Sequence, residues 1–270
     1  MPTDMILLII ILILIVAIAV VGIILINKKK KLRLWLNILI PVAFVLVGTA
    51  SSFLIYLNIY YHATDEVNPY LQSSALVEVC EDSRYYLFDN VENKDKAIVF
   101  YGGAKVEEKS YAPMLSKLAE HGVDVYLVKM PFRLALFDLS ASDSILSSNP
   151  YSAAYLMGHS LGGTSASICL SKTAQHYEGI IFLASYPNQE LDDKYKALSI
   201  YGSEDAVLNR KQYEERSSYF PEGYQTQIIE GGNHANFAYY GNQSGDNAAT
   251  ITREQQIDLT VSYVADFLEL

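Results

Sequence analysis

Two long apolar runs open the chain, and nothing like them recurs later. Met5 to Ile26 carries no charged or amide side chain, and Leu34 to Leu57 is apolar apart from a few small or amide residues. A helix rising about 1.5 Å per residue needs roughly 20 residues to cross a hydrocarbon layer about 30 Å thick, and each run is long enough. Pro41 and Gly48 in the second run are residues that membrane helices tolerate. Trp35 stands at one boundary of that run and Tyr56, Tyr60 and Tyr61 at the other, the arrangement of an aromatic belt. The competing reading is a cleaved signal, with a cut after Ala50. The first run is too long for one, Asp4 precedes it where a basic residue would be expected, and Phe53-Leu54-Ile55 carries the second run past the cut. The pattern predicts a membrane anchor over residues 1–61, with helices at about 5–26 and 34–57.

Between the runs lie Lys28, Lys29, Lys30, Lys31 and Arg33, and no Lys or Arg precedes the first run or closely follows the second. The excess of basic residues on cytoplasmic loops puts this cluster inside the cell. The expectation is a two-pass cell-membrane protein that contacts the lipid bilayer through its N-terminal helices and carries the rest of the chain outside the cytoplasm.

Residues 62–76 are rich in polar and turn-forming side chains and read as a linker. From 77 to 270 short apolar runs alternate with helical stripes. Strands are predicted at Arg84–Phe88, Ala97–Tyr101, Val123–Val128, Tyr155–Met157, Gly179–Ala184, Ala197–Tyr201 and Gln225–Ile229. Helices are predicted at Ser110–His121, at Phe132–Leu139, from the turn after Met157 to about Tyr177, at Leu208–Tyr219 and at Arg253–Leu268, with Asp143–Pro150 a polar connection. Such alternation defines an α/β domain, a mostly parallel sheet with helices on both faces.

Composition narrows the function. The net charge of −10 belongs to the region after the anchor, since the anchor itself is basic, and it argues against a nucleic-acid partner. Cys80 and Cys169 show neither metal-ligand spacing nor a disulfide framework. No phosphate loop, zinc ligand set or dinucleotide fingerprint occurs, so no cofactor and no metal are expected.

The chemistry centres on Tyr155-Leu156-Met157-Gly158-His159-Ser160-Leu161-Gly162-Gly163. An apolar run ending in G-x-S-x-G and followed by small residues reads as strand, sharp turn, helix. Ser160 is thereby lifted above the sheet edge at a helix N-terminus, where unpaired N–H groups favour developing negative charge. A serine hydroxyl needs a base within reach and a third group to hold that base. In an open α/β sheet both come from loops at the carboxyl ends of strands. Asp205 follows the strand ending at Tyr201, and His234 follows the strand ending at Ile229, in the order serine, acid, histidine. Glu204 is the alternative acid. His62, His121, His159 and His176 lack a strand-end loop position and suit surface or packing roles. An acyl-transfer intermediate also needs N–H donors for its oxyanion. Leu161 supplies one, and Gly103 or Ala104, after the Ala97–Tyr101 strand, the other. Tyr239, Tyr240, Asn242 and Gln243, together with Lys129–Phe132, are candidates for the rim.

These motifs carry a resemblance. Phe100–Val106, Val128–Phe132, the serine turn, Tyr201–Asp205 and Gly231–Phe237 make the stretch from Ile98 to Leu268 similar to the α/β-hydrolase superfamily, and within it to the dienelactone-hydrolase-like branch. The resemblance implies an α/β-hydrolase fold and an esterase-like serine hydrolase with Ser160, Asp205 and His234 as triad. Dienelactone hydrolases carry cysteine at the turn. Serine here favours ordinary hydrolysis of a small-molecule or lipid ester. Acyl transfer to another alcohol uses the same residues, and a non-catalytic binding module is the alternative outside enzymology.

Overall fold

The computed structural model describes residues 3–29, 34–92 and 95–270. It divides into two units, one ending at Tyr60 and one spanning Tyr61–Leu270. The first holds α1 (Thr3–Lys29) and α2 (Leu34–Leu57), which pack against each other. Among the described residues one helical stretch, Ile38–Leu57, is long and apolar enough to cross a membrane, with mean hydropathy 2.4. Ile13–Ile26 is a shorter apolar stretch. Both helices expose large apolar side chains, among them Ile18, Val21, Leu39, Leu46 and Phe53. Most of the basic cluster, Lys30 to Arg33, lies outside the described residues.

The second unit is built on an eight-stranded sheet in the order β1-β2-β4-β3-β5-β6-β7-β8. Its strands are β1 (Val77–Glu81), β2 (Tyr85–Asn90), β3 (Lys96–Tyr101), β4 (Asp124–Val128), β5 (Ala153–His159), β6 (Gly179–Leu183), β7 (Lys196–Gly202) and β8 (Gln225–Ile229). β1 and β2 form an antiparallel edge, and β4, β3, β5, β6, β7 and β8 run parallel. The central strands are apolar at nearly every position because both faces are covered. Ile98, Phe100, Tyr155 and Met157 point to one face, where α3 (Ala112–Glu120) and α7 (Arg253–Leu268) supply Met114, Leu118, Val261 and Val264. Val99, Tyr101 and Leu156 point to the other, under α4 (Ala141–Ser148), α5 (Leu161–Lys172) and α6 (Arg210–Glu215), which supply Ile145, Ala166, Leu170 and Tyr213.

Several elements depart from expectation. Val77–Glu81 forms the edge strand, unforeseen because only Val77 of its residues is buried. Phe132–Leu139 is not a helix but two short 3-10 turns, Pro131–Arg133 and Ala135–Phe137. Phe132 and Arg133 take φ of 54° and 55°, which no α-helix accommodates. The helix lies further on as α4, where a polar connection was expected. Four of its residues, Ala141, Ser142, Ile145 and Leu146, are buried, too few of them apolar to make a legible stripe. α5 stops at Lys172 rather than Tyr177, with Thr173 extended. The Leu208–Tyr219 helix is shortened to α6 and a 3-10 turn at Ser217–Tyr219. The stretch read as a linker contains a 3-10 helix, Asp65–Leu71, which buries Val67. Just before it, Thr64 donates its amide to the Tyr239 carbonyl at 2.9 Å and Tyr61 pairs with Val106.

Candidate active site

The parallel strands end at one edge of the sheet, and the loops leaving β3, β5, β7 and β8 carry Gly103, Ser160, Asp205 and His234. Ser160 joins β5 to α5 with φ 53° and ψ −126°, a conformation costly for a residue bearing Cβ. Two ties hold it there. The Ser160 amide donates to the Leu183 carbonyl at 2.9 Å, and the Ser185 hydroxyl donates to the Ser160 carbonyl at 2.7 Å. Close packing explains the flanking glycine at 162. A Cβ there would lie 2.1 Å from the Tyr101 carbonyl oxygen.

His234 and Asp205 meet as a buried pair. Nδ1 of His234 lies 2.9 Å from Oδ2 of Asp205, with side-chain exposures of 2% and 0%. The other carboxylate oxygen accepts the amides of Val207 and Leu208 at 2.9 and 2.7 Å. An ionised Asp205 is an acceptor only, so His234 donates from Nδ1 and its lone pair sits on Nε2. Nε2 is buried and has no partner among the described residues. Glu204 is not the carboxylate paired with His234; its Oε1 accepts the Ser203 hydroxyl at 3.4 Å.

Groups that the sequence did not single out support these loops. The Asp246 carboxylate accepts the Ala206 amide on one oxygen and the Ala235 amide on the other, which ties the Asp205 loop to the His234 loop. Gln256 of α7, fully buried, accepts the Asn233 amide at 2.9 Å and donates to the Asn233 carbonyl at 2.8 Å. His159, for which a surface or packing role was expected, is buried with its ring centroid 4.6 Å from that of His234 and 5.5 Å from that of Phe237. Burial first, and His234 second, hold its pKa well below the usual imidazole range, so His159 is neutral. Its Nδ1 lies 2.8 Å from the hydroxyl of Tyr111, which accepts the Gly103 amide at 2.8 Å. The Gly103 N–H is therefore already taken. The amides of Ala104 and Leu161 are given to no acceptor among the described residues.

The expected rim is rearranged. Tyr240 is buried, with its hydroxyl on Gln243, and Tyr239 faces the Arg253 guanidinium at 5.1 Å. Asn242 and Gln243 line a polar cavity of about 380 Å³ with Asn233, Asn236 and Asp246. Met130 borders a narrow cleft with Gly102, Gly103 and Arg133, while Lys129 turns away to Glu81 at 2.6 Å. Cys80 and Cys169 are free thiols, and no group of metal-binding side chains occurs among the described residues.

Sheet order, a strained serine turn and a histidine–aspartate pair on adjacent strand ends define an α/β hydrolase. The alpha/beta hydrolase family model matches residues 97–258, and the chain belongs to that family. No curated protein matches it in sequence. Solved structures share the fold. A predicted CIB-like hydrolase from Thermoplasma acidophilum is 17% identical with TM-score 0.51, over 70% of this chain and 97% of that one. Dienelactone hydrolase from Anabaena variabilis is 12% identical with TM-score 0.53, over 71% and 98%. A monoacylglycerol lipase from Paleococcus ferrophilus is 12% identical with TM-score 0.52, over 68% and 99%. At these identities the likeness is one of fold.

Proposed function

We propose that the chain is a membrane-anchored serine hydrolase that cleaves a carboxylic ester through Ser160, His234 and Asp205. The observation that carries this reading is the His234 ring. One nitrogen is held by a buried carboxylate, and the other is buried without a hydrogen-bond partner among the described residues, on a loop at the same strand ends as the strained serine turn. In the first step Ser160 Oγ bonds to the acyl carbon as its proton passes to His234 Nε2. The tetrahedral intermediate collapses, and the same proton leaves with the alcohol. Water, deprotonated by His234, then attacks the acyl-enzyme and releases the acid, returning the proton to Ser160. Asp205 keeps the imidazole in the tautomer this requires and offsets the imidazolium charge. The free amides of Leu161 and Ala104 are the donors we assign to the oxyanion. Serine at the turn favours simple esters over dienelactones, and the substrate is a small-molecule or lipid ester. We further infer that both N-terminal helices span the membrane, with the basic cluster in the cytoplasm and the domain outside.

The test is hydrolysis of nitrophenyl esters of rising acyl length by the full chain in detergent. Turnover by the native chain and its loss in Ser160→Ala is the expected result, and a folded native chain without turnover on any ester would overturn the reading. A periplasmic-type reporter fused after Leu270 should be active, and activity only of a cytoplasmic reporter would reverse the orientation.

A further inference from the structure

The second oxyanion amide is set by side chains that no step of the reaction uses. Tyr111, at the start of α3, is fully buried with His159 beside it, and together they touch the loop after β3. One proton role in this chain is fixed by chemistry, and the other is assigned by giving the Tyr111 hydroxyl its acceptor. The Gly103 amide can only donate, so the Tyr111 oxygen accepts it at 2.8 Å. The hydroxyl proton, buried, needs an acceptor, and the one within reach among the described residues is His159 Nδ1, at 2.8 Å. That placement puts the ring proton of His159 on Nε2, a buried atom with no hydrogen-bond partner among the described residues. The run Gly103 N–H to Tyr111 O–H to His159 Nδ1 is a directed chain with one polarity, in which each bond strengthens the next.

Its geometry leaves little freedom. A Cβ on residue 103 would lie 2.9 Å from His159 Nδ1 and 3.0 Å from the Tyr111 hydroxyl, so only glycine brings the loop this close. His159 is also the residue before the nucleophile, so the chain runs from the β3 loop to the serine turn itself. With the Gly103 N–H turned inward to Tyr111, the Ala104 N–H is the amide of this loop left to face a ligand.

We propose that Tyr111 and His159 are positioning residues that lock the Gly102–Ala104 loop to the serine turn and so select the Ala104 amide, rather than that of Gly103, as the second oxyanion donor. This rests on the serine-hydrolase reading. The donor matters only when charge develops on the substrate oxygen, so loosening it slows the chemical step and leaves ground-state binding nearly unchanged.

The experiment uses the full chain with a nitrophenyl ester. Tyr111→Phe keeps the ring and removes the hydroxyl. His159→Leu removes the acceptor, and His159→Asn keeps an acceptor oxygen near the position of Nδ1. The expected result is a kcat lower by about 10- to 100-fold in Tyr111→Phe and in His159→Leu, less than the loss of a whole donor. KM should stay within about twofold, since uniform binding is untouched. His159→Asn should recover most of the rate, and Tyr111→Phe combined with His159→Leu should fall no further than either alone, the mark of residues acting as a unit. Unchanged kcat in Tyr111→Phe and His159→Leu, with only a lowered melting temperature, would overturn the proposal and leave a packing role. So would equal loss in His159→Asn and His159→Leu. A native chain that is folded but inactive would instead refute the hydrolase reading on which it rests.

Discussion

His234 is a single ring whose two nitrogens sit in different surroundings, and the account depends on that difference. Nδ1 is 2.9 Å from a carboxylate that already accepts two amides, so Asp205 is locked in place and in turn fixes the ring. Asp205→Asn keeps the shape and reverses the logic. An amide that presents its NH₂ to Nδ1 moves the imidazole proton to Nε2, where it faces the nucleophile instead of accepting from it. Turnover should fall by about 10²- to 10⁴-fold with KM little changed. Steady-state kinetics on a folded variant checks this, and a loss under about tenfold would remove Asp205 from the role. At this scale the sequence was informative only in part. Ser160, Asp205 and His234 were singled out as candidates because a serine turn and strand-end loops in the order serine, acid, histidine constrain position closely, and the structure pairs two of them, His234 with Asp205. Tyr111, His159, Asp246 and Gln256 were not. Each looks ordinary in its own segment and gains its role from partners 8 to 48 residues away.

The serine turn is the element in which local strain and close packing meet. A non-glycine residue at φ 53° persists because β5, the end of β6 and α5 all hold it. The substitution Gly162→Ala would drive a methyl group to 2.1 Å from the Tyr101 carbonyl oxygen, and backbone does not yield as a side-chain tip would. The domain's melting temperature should drop by several degrees and activity should be lost with it, as expected for overpacking of roughly 1–3 kcal/mol. A variant as stable as the native chain would contradict the packing seen here. Elements buried on both faces, such as β3, β5 and β6, were plain from continuous apolar runs. Elements held by few or unusual contacts were missed. α4 buries one serine, Ser142, along with only three apolar residues, and Phe132–Leu139 has helical composition but left-handed backbone at Phe132 and Arg133.

Over the whole domain, two buried carboxylates, Asp205 and Asp124, lie at opposite ends of the parallel strands. Asp205 and His234 lie at the carboxyl ends of the strands. Asp124 lies at the start of β4, buried, accepting the Asn90 amide and the Tyr151 hydroxyl. Burial above all, with Asp89 adding to it, pushes the Asp124 carboxyl up to about 6 from an ordinary value of 3.8. The folded state therefore holds this proton more tightly than the unfolded chain does. The stabilisation is full below about pH 4, is lost as pH rises through about 6, and is absent above that. Thermal unfolding of the native chain and of Asp124→Asn across pH 4 to 7 should show the native curve falling relative to the variant in that window. Parallel curves would contradict the assignment. The architecture was the most legible feature of all, because strand–helix alternation and a hydrophobic N-terminus are written over long stretches. The edge strand β1 was hidden by its exposure.

The central claim is that Ser160 is a nucleophile activated by His234. The most direct measurement is covalent labelling of the full chain by a fluorophosphonate, alongside Ser160→Ala and His234→Ala. Labelling of the native chain that both substitutions abolish is the predicted result. A folded native chain that does not label, or labelling that survives loss of Ser160, would contradict it.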